Sequence, residues 1–152
     1  MEFKTEQEAF WSGEFGNAYS ERNVGSEWVA SNSALFSRIL KRTENVESLI
    51  EFGSNIGLNL QAISHLLPKS RLSAVEINDF AVKALQDWGG LEQIYHESIL
   101  DFDPNGKTWD LTLIKGVLIH INPNELERVY ETLYRSCGRY LVIAEYYNPN
   151  PV

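Results

Sequence analysis

The sequence has little cysteine: Cys137 stands alone among 152 residues, which excludes an internal disulfide framework and any CxxC redox or metal pair. It follows a predicted helix and is expected to be a small packing residue. Long apolar runs are missing too. No stretch of about 20 apolar residues could cross a bilayer, and the start, MEFKTEQEAF, has neither the basic opening nor the greasy core of a secretory leader. A cytoplasmic protein without a membrane partner is the expectation. Positive charge is scarce, with 13 Lys and Arg against 21 Asp and Glu and a net charge of -8, so nucleic acid would have to be bound against the overall field. The one basic cluster, Arg38, Lys41 and Arg42, falls at the end of a predicted helix, where cations complement the dipole. His65 and His96 have no second ligand at metal spacing, and no metal is expected.

What is present is enough apolar material, 43% of residues, for one core in one domain. After a polar arm studded with aromatics (residues 1–25), the core (26–152) opens with SEWVASNSALFSRILKRT. Trp28, Leu35, Ile39 and Leu40 recur there near helical spacing, with Ser26 as the expected N-cap. VESLIEF then reads as a buried strand ended by Gly53. Helix (GLNLQAISHLLP), strand (RLSAVEI) and helix (DFAVKALQDWG) follow, the last capped by Asp79 and closed by Gly89 and Gly90. A third strand (EQIYHESI), a loop, a fourth strand (DLTLIK), a helix from Pro123 and a fifth strand (RYLVIAEYY) complete the series. Such alternation predicts an α/β, doubly wound, Rossmann-like sheet of five mostly parallel strands in the order 3-2-1-4-5.

In that architecture the loop after the first strand faces the ligand, and here it is EFGSNIG. Gly53 removes a Cβ where a ligand must pass, Asn55 tolerates a left-handed conformation, and Gly57 lets the next helix pack closely. A phosphate-cradling loop would need a lysine after its last glycine, where this chain has Leu58. A dinucleotide fingerprint begun at Gly53 fails at Asn55 and at Leu58, whose bulk stands where helix and strand must touch. Without a pyrophosphate to hold, Glu51 suits a cationic amine, received directly or through water. Glu76, at the end of the second strand, suits ribose hydroxyls, and Ser98 and Ile99 after the third strand suit an adenine. A ligand with these parts and no phosphate is S-adenosylmethionine.

In these segments the chain resembles the class I S-adenosylmethionine-dependent methyltransferases over essentially its whole length. EFGSNIG is similar to the family's acidic, glycine-rich loop with Asn55 in place of the middle glycine, VEIN to its ribose acid, and DLTLIKGVLIHI to the segment after its fourth strand. These matches bring Ile77 and Lys115 into the expected cofactor wall. EAFWSGEFGNAYSERN and IKGVLIHINP further resemble methyltransferases associated with biosynthesis of pseudaminic acid, a sialic-acid-like bacterial sugar. The resemblance implies S-adenosylhomocysteine as product, a small-molecule acceptor such as a sugar, and an arm that lids the cofactor through Trp11 and Tyr19, with Arg22 on the methionine carboxylate. His120 is the candidate for accepting a hydroxyl proton, while Glu145, Tyr146 and Tyr147 are candidates for the acceptor side.

The family usually continues past the fifth strand with a helix and strands six and seven, whereas this chain stops at Val152. A C-terminally shortened domain is the expectation, with cofactor binding better preserved than turnover and an exposed edge strand inviting a homodimer. Two other classes fit parts of the pattern: an NAD-dependent nucleotide-sugar oxidoreductase or epimerase, and a non-catalytic methyltransferase-like binding domain.

Overall fold

Residues 3–146 are described by the computed structural model. The arm folds into two short helices, α1 (Glu6–Ser12) and α2 (Glu14–Arg22). α1 starts from a capping box in which Thr5 accepts the Glu8 amide and Glu8 reaches back to Thr5. The two helices meet so closely at Gly16 that a Cβ there would lie 1.9 Å from the Trp11 carbonyl oxygen. α3 (Ser26–Leu40), β1 (Ser48–Phe52), α4 (Leu58–Leu66), β2 (Arg71–Glu76), α5 (Asp79–Trp88), β3 (Gln93–His96), β4 (Trp109–Lys115), α6 (Leu126–Ser136) and β5 (Cys137–Ala144) follow. The sheet order is β3-β2-β1-β4-β5, with parallel pairing throughout, as the alternation of elements predicts.

Side chains alternate across a strand, and β1 shows what this does. Leu49 packs with Phe36, Leu60, Ile63 and Leu85 from α3, α4 and α5. Ile50 and Phe52 pack on the opposite face with Val129 and Leu133 from α6. Glu51, two residues after Leu49, therefore turns its carboxyl toward α4. Trp109 anchors the second core, fully buried, with its indole N–H donating to Ser73 Oγ at 3.3 Å. Among the described residues no helix is long and apolar enough to cross a membrane.

Two local expectations are corrected. Ser26 is the first helical residue of α3, and the N-cap is Gly25, at a φ of 131°. The cap of α5 is Asn78, because its extended backbone lets Oδ1 accept the Ala81 amide at 2.9 Å; Asp79 already lies in the helix and its carboxylate meets His96 Nε2 at 2.9 Å. Cys137, the residue directly after α6, opens β5, and burial pushes its thiol pKa up.

Candidate functional site

The carboxyl ends of β1, β2 and β4 open onto a cavity of about 360 Å³ roofed by the arm. Its floor begins with the loop after β1. Gly53 and Asn55 hold left-handed φ values of 70° and 48°, and Gly57 one of 82°. At Gly57 a Cβ would strike Leu85 Cδ2 at 2.6 Å, which explains the close helix packing expected there. At Gly53 the reason differs from expectation: the space before it is filled by Val117, whose Cγ2 would lie 2.6 Å from an added Cβ.

Glu76 is buried at the end of β2. Its Oε2 accepts the Asn55 amide at 2.7 Å, and its Oε1 accepts those of Ile77 and Asn78, each at 2.9 Å. Burial raises its pKa against the pull of these amides. A carboxylate has about four acceptor positions, so roughly one stays open toward the cavity, where a pair of ribose hydroxyls was expected to find two. Ile77, Ser98 and Ile99 also line the wall. The Ser98 hydroxyl is already engaged, accepting the Leu100 amide at 3.0 Å.

Glu51 is completely buried and lies behind the wall instead of in it. Asn59, one turn into α4 and in the wall, donates Nδ2 to Glu51 Oε1 at 2.6 Å. Burial, opposed by this bond and by Lys115, pushes the Glu51 carboxyl up to about 8, so it is mostly protonated at neutral pH. Several residues of the wall leave buried acceptors without partners among the described residues: Gln7 Oε1, Glu8 Oε1, Ser54 Oγ and Asn59 Oδ1. Buried acceptors are costly unless a donor meets them, and the arrangement suits a ligand rich in N–H and O–H groups.

The arm supplies the roof. Trp11 and Tyr19 line the cavity, with ring centroids 5.4 Å apart in an edge contact. Asn78 Nδ2 donates to the Trp11 carbonyl at 3.1 Å and to Asn17 Oδ1 at 2.8 Å, fastening both arm helices to the start of α5. Arg22 does not reach the cavity: it is exposed in the last turn of α2, and the lining cation is Lys115. At the other end His120 lies in a 3-10 turn, Leu118–His120, its ring centroid 4.5 Å from that of Trp11. Burial lowers its pKa and Glu145 partly offsets this, which leaves a neutral imidazole at pH 7. Tyr146 lines the mouth. Glu145 is not in the wall; its Oε1 accepts the amides of Val117 and Leu118. Tyr147 lies outside the described residues. Asn59, Ser54, Ser20 and Asn78 were missed by sequence reasoning. Only Asn59 left a trace there, as a polar residue between the leucines of LNLQAI.

No protein-family model matches the chain, and no curated protein does. Solved structures do. The sugar N-methyltransferase KedS8 from Streptoalloteichus matches with a TM-score of 0.70 at 20% identity, over 91% of this chain and 56% of its own. CalS10, an amino pentose methyltransferase from Micromonospora echinaspora solved with S-adenosylmethionine, gives 0.69 at 16% identity, over 90% and 58%. The plantazolicin methyltransferase BpumL, solved with S-adenosylhomocysteine, gives 0.68 at 18% identity, over 90% and 55%. The fold is thus the Rossmann-like fold of S-adenosylmethionine-dependent methyltransferases. The chain spans a little over half the length of these counterparts.

Proposed function

We propose that the cavity binds S-adenosylmethionine and that the chain is the cofactor-binding domain of an enzyme methylating a small molecule, with a sugar of the pseudaminic acid type as the acceptor that the sequence resemblance favours. The observation that carries the reading is the convergence of unpartnered buried acceptors, Ser54 Oγ and Asn59 Oδ1, with the Glu76 carboxylate on one cavity at the strand ends. The cofactor's amine, ribose hydroxyls and adenine amine would supply the missing donors.

When bound, the cofactor supplies a methyl group on a sulfonium, open to in-line displacement. The chain's part is mostly placement. Glu76 orients the ribose, Ile99 packs on the adenine, and Asn59, backed by Glu51, receives the amine. Lys115 takes the carboxylate in place of Arg22, the arm acts as a lid through Trp11 and Tyr19, and His120, neutral at pH 7, accepts the acceptor's proton.

Thermal unfolding with S-adenosylmethionine, S-adenosylhomocysteine, NAD and ATP in parallel tests this. A ligand at 100 times its Kd adds about 2.7 kcal/mol, or roughly 5–10 °C for a domain this size. Both adenosyl ligands should stabilise the chain, and Ile99→Asp, with a charge on the adenine wall, should lose the shift. Stabilisation by NAD alone would overturn the reading, as would no shift with any ligand.

A further inference from the structure

The turn that presents His120 hangs from one carboxylate. Val117 and Leu118 donate their amides to Oε1 of Glu145 at 3.0 and 3.1 Å. Glu145 directly follows β5, and the Gly116 amide bonds the Ala144 carbonyl at 2.9 Å, so the last rung between β4 and β5 and the carboxylate clamp are adjacent. The His120 amide closes the turn on the Val117 carbonyl at 2.9 Å. Two side chains leave this turn with different errands. Val117 fills the space before Gly53 and so rests against the loop after β1. His120 lies against Trp11, the rings tilted by 52°.

The second oxygen of Glu145, Oε2, is buried without a partner among the described residues. A carboxylate that only held two amides would be replaceable by any acceptor of the same reach. A buried charge beside an imidazole does something an amide cannot: it favours the protonated ring. Among the described groups Glu145 is the charge that acts on His120, while α1 contributes the uncharged Trp11 ring.

We infer that Glu145 is a positioning residue, which from the end of β5 sets the place of the turn that carries His120 and, through Val117, seats the Gly53 loop. What His120 then does rests on the methyltransferase reading; the clamp itself does not. A proton acceptor must be neutral before the reaction and basic enough to take the proton during it. Burial lowers the His120 pKa and the Glu145 charge opposes this.

The test is an NMR titration of the full chain, following the His120 ring and the Val117 and Leu118 amides in wild type, Glu145→Gln and Glu145→Ala. His65 and His96 serve as internal references. In Glu145→Gln the amide oxygen still accepts, so Val117 and Leu118 should keep their exchange protection within about threefold. The His120 midpoint should fall as the charge is lost. In Glu145→Ala the two amides should exchange at least about tenfold faster. A His120 midpoint in Glu145→Gln equal to wild type would overturn the inference, as would full protection in a folded Glu145→Ala. If the alanine variant does not fold, the glutamine variant decides alone. S-adenosylhomocysteine added to the same wild-type sample separates the two ideas. A failure to bind, with the expected midpoint shift present, would sink the cofactor reading and leave the clamp standing. Binding with an unmoved midpoint would do the reverse.

Discussion

The Ser20 hydroxyl donates to Oδ1 of Asn55 at 2.6 Å, joining the second arm helix to the loop after β1. The same oxygen accepts the Ile56 amide at 2.8 Å. Asn55 bears a left-handed φ of 48° that glycine would hold with less strain, but glycine offers no side-chain acceptor. Asparagine stands where the resembled loop has glycine, and its side chain ties the arm to that loop.

Asn55→Gly is therefore expected to change global stability by no more than about 1 kcal/mol, since relief of strain and loss of two bonds oppose each other. The arm should respond far more, with α1 and α2 amides exchanging at least about tenfold faster. Hydrogen exchange reads this directly. Arm protection equal to wild type would mean that Ser20 and Asn55 do not hold the roof.

Gly53→Ala meets both a φ of 70° and the Val117 methyl groups, and should destabilise by about 2–3 kcal/mol. In a Val117→Ala background the clash is gone and only the left-handed strain of about 1–2 kcal/mol remains. Urea unfolding of the four proteins gives the coupling. Strict additivity would show that the loop and the 117–120 turn move independently.

Glu51 gives stability a pH dependence. Its carboxyl keeps its proton in the fold up to about 8, against 4.5 as the ordinary value. Between those values the unfolded chain binds fewer protons than the folded one, so stability falls as pH rises through the window, and is unaffected by this group below it. Glu51→Gln should remove that slope, matching wild type near pH 5 and exceeding it by a few kcal/mol near pH 9 in the ligand-free protein. Denaturant midpoints at the two pH values test it; parallel curves for both proteins would mean Glu51 is ionised throughout.

Glu76→Ala would leave the amides of Asn55, Ile77 and Asn78 without their acceptor, at about 1 kcal/mol or more for each. A loss of at least about 3 kcal/mol is expected in chemical denaturation, with Glu76→Gln intermediate. An alanine variant as stable as wild type would show these bonds to be dispensable. Lost ligand binding in the alanine variant would not by itself report a ribose contact, because the loop it organises goes with it.

The sheet was legible because its signals are local and repeated: oily strands such as SLIEF, helices at period 3.6, glycines between them. Strand order followed from the alternation of elements, and the positions of Glu76 and Ile99 in the cavity wall from their places at or after strand ends. What could not be read depends on partners distant in sequence. Nothing in EFGSNIG says that Val117 will occupy the space before Gly53, or that Asn59 will stand between Glu51 and the cavity. Arg22 was expected at the ligand because arginine suits a carboxylate, yet its direction is set by which face of α2 meets α5. Asn78 was passed over for Asp79 as a cap because the two differ by backbone conformation, which the residue types do not reveal.

The arm's fastenings reach across 35 residues to Asn55, 61 and 67 to Asn78, and 97 from Lys4 to Asp101. As contacts they are among the most expensive in chain entropy to close, and non-local contacts form late in folding. On a ribosome the arm emerges before every surface of this domain that can receive it. A segment made before its docking surfaces must wait for them, and until they form, Phe10 and Phe15, half exposed even in the finished structure, have only each other and Trp11 of the same arm to pack on.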